Sequence, residues 1–185
     1  NQYIFPAEAR LDDRCVAAGA ALGLAEMIAS GPTCIADMYM NTETIAQAVL
    51  DAGISANLAC GAVYFGAPED FSPETCNDCG NHVRLYENWH GAGDGQILID
   101  ASIHAEYTSC PPAWEWVADF AQKHNLRMHA HVSETHSEHE KCLEKYGATP
   151  AALLDRYGVW ENGGVAAHCV YLSGGDAELF ARRGV

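Results

Sequence analysis

The chain has 185 residues, 49% of them apolar and 19% charged, which excludes a disordered polymer and allows one sizeable domain with a full core. Ten basic residues against 25 acidic ones leave a formal charge of −15, a balance that repels phosphate backbones and argues against nucleic acid or an anionic membrane as partner. No apolar run reaches the roughly 20 residues of a membrane span, and no basic start with an apolar core marks a signal peptide.

In chain order, residues 1–10 are expected to be extended, because Pro6 opposes a helix. Asp12 and Asp13 open a helix to Ser30 with Val16, Ala20, Leu24 and Met27 on one face, and Gly31-Pro32 ends it. TCIADMYM (33–40) reads as a strand, 42–52 as a helix stopped by Gly53, and SANLACGAVYF (55–65) as a second strand. A loop with Pro68 and Pro73 precedes a helix over 73–89, and HGAGDG (90–95) is a turn. Residues 96–108 hold a third strand, and Pro111-Pro112 opens a helix that ends near Asn125. LRMHAHVSET (126–135) is a short strand running into a helix, since Thr135 and Glu138 form a capping box. Helices over 135–146 and 149–157 lead to the strand GGVAAHCVYL (163–172), and Asp176 is expected to cap a last helix. Five strands thus alternate with helices, the pattern of a parallel α/β sheet with right-handed crossovers. Such a sheet is either a complete doubly wound domain or part of a barrel. No G-x-G-x-x-G and no phosphate-binding G-x-x-x-x-G-K-[ST] is present.

Nine histidines stand out. His104, His131 and His168 fall at or near predicted strand ends, and parallel strands present their carboxyl ends on one face. His129 and His131 alternate on one strand and so point the same way. Glu134 lies just past that strand. Neutral imidazoles suit zinc or iron(II), and a neighbouring carboxylate moves protons for an activated water. A lone histidine is more often a hydrogen-bonded core residue; the set with Glu134 favours function. Cys76-Asn-Asp-Cys79 with His82 nearby has no second ligand pair and follows a proline-rich loop, so neither a zinc knuckle nor a redox pair is expected. The eight cysteines are read as reduced, buried thiols of a cytoplasmic protein. His136 and His139 are read as part of a solvated helix face.

SIHAEYTS (102–109), MHAHVSET (128–135) and AAHCVYL (166–172), with GLAEMIASGPTCIADMYM (23–40) ahead of them, resemble the amidohydrolase superfamily. The resemblance is to its S-adenosylhomocysteine/5′-methylthioadenosine deaminases and related chlorohydrolases. It implies a partial TIM-type (β/α)8 barrel of the metal-dependent hydrolase type, covering about its second to sixth strands. The first-strand H-x-H and the eighth-strand aspartate of the family are not among these residues, and His129-Ala-His131 fits the fifth-strand register instead.

On that resemblance His131 is the fifth-strand ligand of zinc, with iron(II) as the other metal. Glu134 is the carboxylate that shuttles protons, His168 the histidine that hydrogen-bonds the attacking water, and His104 a residue of the substrate pocket. His129 is either an inward-facing residue supporting the ligands from the same strand face or a plain packing residue. The implied reaction is hydrolytic deamination, or dechlorination, of a purine-like or other heteroaromatic small molecule by a metal-bound hydroxide. The alternative is a non-catalytic piece that needs other segments to assemble a site. Two open sheet edges point to association of copies into a homo-oligomer.

Overall fold

The computed structural model describes residues 2–185. Its elements in chain order are α1 (Ile4–Glu8), α2 (Asp13–Ser30), β1 (Cys34–Met38), α3 (Thr42–Ala52), β2 (Ser55–Ala59), α4 (Asn77–Trp89), α5 (Ala92–Gly95), β3 (Ile97–Ile99), β4 (Ala101–Ile103), α6 (Pro111–His124), β5 (Met128–Val132), α7 (His136–Tyr146), α8 (Pro150–Arg156), β6 (Gly164–His168) and α9 (Gly174–Arg183), with short 3-10 turns at Pro68–Asp70 and Glu106–Thr108. Backbone packing divides them into two compact units. The first runs to Leu58 and resumes over Leu85–Ile99; the second comprises Ala59–Arg84 and Asp100–Val185.

The first unit carries a sheet in the order β1-β2-β3, with β2 and β3 parallel and Ala56 opposite Ile97. α3 buries Thr42, Ile45, Ala46 and Val49, the i, i+3, i+4, i+7 stripe of a core-facing helix. α2 is capped by Asp12, whose side chain accepts from the Cys15 amide, and ends at Gly31 with φ 108°, a conformation that favours glycine. Only Val16 and Leu24 of its apolar residues are buried, while Ala20 and Met27 are half-covered.

The second unit carries the sheet β4-β5-β6, parallel throughout, with Met128 opposite both Ala101 and Gly164 and Val132 opposite His168. β5 is central. Met128, Ala130 and Val132 are fully buried on one of its faces, which leaves His129 and His131 together on the other. Trp114 of α6 and Trp160 anchor the surrounding core at 0% exposure. Each satisfies its indole N–H, Trp114 on Ser109 Oγ at 2.7 Å and Trp160 on the Ala151 carbonyl at 3.3 Å. α7 and α9 begin with reciprocal capping boxes, Thr135 with Glu138 and Ser173 with Asp176.

The structure corrects several expectations. Residues 4–8 are helical, since Pro6 falls in the first turn, where its missing N–H has no intrahelical acceptor to lose; Asn1 lies outside the described residues. The second strand stops at Ala59, and Gly61 at φ 65° turns the chain before an isolated bridge pairs Ala62 with Ile103. The next predicted strand, over 96–108, is two strands separated at the buried Asp100, so the described residues form six strands in place of five. α4 begins at Asn77, four residues later than expected. Ser173, not Asp176, caps α9. The cysteines are free thiols, but Cys15 and Cys34 are exposed rather than buried. Among the described residues no helix is long and apolar enough to cross a membrane.

Candidate active site

The second unit's strand ends bring the flagged histidines together. His104 follows β4 directly, His131 is the penultimate residue of β5, and His168 closes β6. Because the three strands are adjacent and parallel, their rings form a row. The His104 and His131 centroids are 4.8 Å apart, and His131 stacks on His168 at 5.3 Å and 27°. Glu134, two residues beyond β5, places Oε2 3.8 Å from His168 Nε2, both side chains remaining partly open to solvent.

Hydrogen bonds fix which nitrogens face outward. His131 Nδ1 lies 2.7 Å from the His104 carbonyl. A carbonyl only accepts, so Nδ1 carries the proton and Nε2 keeps its lone pair. His104 Nδ1 meets Thr108 Oγ1 at 3.1 Å, and that hydroxyl gives its own proton to the Ala105 carbonyl, so His104 presents Nε2 as well. Burial lowers the pKa of His104, helped by the neighbouring His131. Burial, again with His131 beside it, takes His129 down to about 4. His104 and His129 are therefore neutral at ordinary pH, the form of imidazole that binds metal.

His129 is 4% exposed, its ring centroid 6.3 Å from that of His131, and its Nδ1 is buried without a hydrogen-bond partner. A buried acceptor left unmatched costs about 1–3 kcal/mol unless something fills it. A metal ion fits this chemistry: the lone pair of His131 Nε2, its other nitrogen fixed by a carbonyl, with an orphaned imidazole nitrogen on the same strand face. Among the described residues no group of three or more histidine, cysteine or carboxylate side chains is arranged to hold a metal. A catalytic zinc takes three protein ligands and water, so these residues offer part of a ligand set.

Backbone conformation marks the same place. Ser133, His168 and Cys169 have φ of 49°, 71° and 52°, in the left-handed region that side chains disfavour. Non-glycine residues there cost about 1 kcal/mol or more each and gather at functional sites. Two backbone hydrogen bonds tie the loops together, Cys169 N–H donating to the Val132 carbonyl and Tyr171 N–H to the Ser133 carbonyl, both at 3.0 Å.

Other polar residues have different settings. His82 is buried on α4: Nδ1 lies 2.8 Å from the Asp78 carbonyl and 3.1 Å from Cys60 Sγ, and Nε2 lies 3.0 Å from the Ser102 carbonyl and 3.1 Å from its amide. Cys79 is buried, and burial raises its thiol far above the usual range, with Cys76 hydrogen-bonded to it adding to the shift; a thiolate nucleophile is not favoured. His136 is on a solvated face, 3.8 Å from Glu140. His139 is not: it is half-buried, with Nδ1 3.1 Å from Ser133 Oγ. Glu106, which the sequence did not single out, is 3% exposed and hydrogen-bonded to Glu138.

A parallel sheet crossed by helices, with histidines and a carboxylate gathered at its strand ends, defines an α/β protein with a barrel-type site. Residues 4–185 match the amidohydrolase family, and the chain belongs to it. It is 39% identical to a 5-methylthioadenosine/S-adenosylhomocysteine deaminase of Dictyoglomus thermophilum, the alignment covering all of this chain and 42% of that protein. The chain thus spans well under half the length of such relatives. An adenosine deaminase from Xanthomonas campestris with bound zinc superposes with a TM-score of 0.87 at 28% identity, over 100% of this chain and 41% of that one. An atrazine chlorohydrolase from Arthrobacter aurescens shares the fold, with a TM-score of 0.80 at 21% identity over 96% of this chain and 43% of that one. The architecture is accordingly that of a partial TIM-type (β/α)8 barrel of the metal-dependent hydrolase type.

Proposed function

We propose that this chain belongs to a zinc-dependent enzyme that hydrolytically removes an amino group from a purine-like ring, adenosine derivatives altered at the 5′ position being the favoured class. The observation that carries this reading is the row His104–His131–His168 with Glu134 3.8 Å from His168. The deaminase relative and the zinc-bearing adenosine deaminase support it. The chlorohydrolase shares only the fold, so removal of chloride is the lesser alternative.

His131, through Nε2, is the residue that holds the metal, and His129 lies in reach beside it. When bound there, zinc would supply Lewis acidity that brings the pKa of a water to about 7. Glu134 takes one proton of the attacking water and passes it to the ring nitrogen; it then takes the remaining proton from the newly added hydroxyl and delivers it to the amine, which departs as ammonia. His168 hydrogen-bonds the water and orients its attack. His104, at the edge of the row, contacts the substrate ring.

The test is Glu134→Gln in the full-length protein, with ammonia release from adenosine, 5′-deoxyadenosine and 5′-methylthioadenosine as the assay. The amide keeps the shape but cannot accept and return a proton, so zinc content stays and kcat falls by about 10²- to 10⁴-fold. A variant with parental kcat removes the shuttle role. The second reading, a piece that works only when other segments complete the ligand set, rests on the incomplete metal cluster. Zinc analysis of the 185-residue chain after dialysis separates the two.

A further inference from the structure

α7 begins with more acceptor than its cap requires. In an ordinary capping box the N3 glutamate accepts one amide, that of the N-cap residue. Glu138 accepts three: Ser133 N on Oε1 at 2.8 Å, and Glu134 N at 2.9 Å and Thr135 N at 3.3 Å on Oε2. These are consecutive residues, and the middle one is the carboxylate placed beside His168. Glu138 is 7% exposed and Ser133 fully buried. A run of backbone N–H groups converging on one anion is a rigid arrangement, and here it holds Ser133 in its left-handed conformation.

The far side of the Glu138 carboxylate is occupied too. Glu106, in the turn after β4, is hydrogen-bonded to it. Two carboxylates cannot share a hydrogen bond without a proton, and burial followed by the charge of Glu138 raises the Glu106 pKa to about 8. The remaining Glu106 oxygen, Oε2, is buried and unpartnered. A buried acid with one unmatched oxygen is poor design for stability alone.

The geometry points to a positioning role: Glu138 is a clamp that, by accepting the three consecutive amides, fixes the backbone of Ser133–Thr135 and so aims the Glu134 side chain at the His168 end of the row. This rests on the reading of Glu134 as the proton-shuttling group. Glu138 acts through Glu134 and touches neither substrate nor metal.

Amide hydrogen exchange and steady-state kinetics of the full-length protein test it together. In Glu138→Gln one carboxylate oxygen becomes an amide nitrogen, which donates and cannot accept. Exchange at Ser133, Glu134 and Thr135 is expected to accelerate by about tenfold to a hundredfold, the worth of hydrogen bonds to a charged acceptor, while β4 and β6 amides keep their protection. kcat is expected to fall by about tenfold or more with KM within twofold. Glu106→Leu, which removes the hydrogen bond to Glu138, is expected to show the same pattern more weakly, and Glu106→Gln, which supplies an N–H donor, to recover most of it.

Exchange at the three amides within twofold of the parent overturns the clamp. So does accelerated exchange with unchanged kcat, which leaves Glu138 a plain helix cap. If Glu138→Gln unfolds, exchange rises along the whole chain and the Glu106→Leu and Glu106→Gln pair decides by the same criteria. A parent that releases no ammonia and is matched by Glu134→Gln removes the catalytic reading itself, and with it any aim for the clamp; an active parent unaffected by the Glu138 and Glu106 changes removes the clamp alone.

Discussion

Gly164→Ala tests how the site depends on the seam between β5 and β6. A Cβ at Gly164 would sit 2.1 Å from the Met128 carbonyl oxygen, 2.9 Å from its carbon and 3.0 Å from Met128 N. Favourable carbon contacts lie near 3.5 Å or beyond, so the overlap exceeds about 1 Å and falls on backbone that has no rotamer to change. Overpacking costs about 1–3 kcal/mol where side chains can shift; here the upper end applies, because relief means lifting β6 away. That motion also strains the Met128 amide bond to Gly163 O at 3.0 Å and the Arg127 bond to Gly164 O at 3.1 Å, each worth about 1 kcal/mol. The expected loss is about 3–4 kcal/mol. In urea, with a slope near 2 kcal/mol/M, the midpoint falls by about 1.5–2 M. Turnover of the full-length protein falls with it even where the variant stays folded, since His168 rides on β6 opposite Val132. A midpoint within 0.3 M (roughly the scatter of such measurements) and parental kcat would refute the argument that this close approach sets the histidine row.

Three further changes have defined outcomes. Burial and the neighbouring Glu138 raise the pKa of Glu106 to about 8, so the folded form retains a proton the unfolded chain releases: stability falls as the pH rises from the ordinary carboxyl range toward about 8 and is level above that. Glu106→Gln should flatten that part of the urea-midpoint profile between pH 5 and 8.5, and equal slopes in parent and variant would show the carboxyl to be ionised throughout. His131→Ala should weaken zinc binding to the full-length protein by more than about 100-fold in equilibrium dialysis; undiminished zinc would move the ligand role elsewhere. Trp160→Ala empties a fully buried site against Phe180, whose ring centroid is 5.4 Å away, and should cost about 3–5 kcal/mol in urea unfolding, with a loss below 1 kcal/mol arguing that the indole is not part of the core.

The parts of the fold that were legible in the sequence are those with local chemistry at their ends. α3 runs from Thr42 to Ala52 as read, because Gly53 stops it, and α7 starts where the Thr135–Glu138 box starts it. Pro111 and Asn125 bracket α6 in the same way. Where an element ends for tertiary reasons the sequence misleads. The apolar run continues from Ala59 to Phe65, yet the strand stops because Gly61 turns and Ala62 pairs with Ile103. Asp100 interrupts a strand without any turn residue beside it. In the candidate site, His104, His131 and His168 were readable from their positions near strand ends alone. His139 was misread because its helix face meets Ser133, and Glu106 was invisible because only the folded chain buries it against Glu138. The H-V-S-E-T block held one further signal: a glutamate three residues after Thr135 is both a helix start and a ligand for the turn before it.

The left-handed trio at Ser133, His168 and Cys169 bears on what laboratory evolution of this protein would select. Glycine is indifferent to the sign of φ, so replacing Cys169 by glycine relieves roughly 1 kcal/mol of native-state strain. A library screened only for heat resistance should therefore enrich glycine at position 169. One screened for turnover should keep the side chain wherever the stiff corner after β6 is what holds the His168 ring in its row. The two screens diverging at this single position, and agreeing in the buried core around Trp114 and Trp160, would map the boundary between residues kept for durability and residues kept for chemistry.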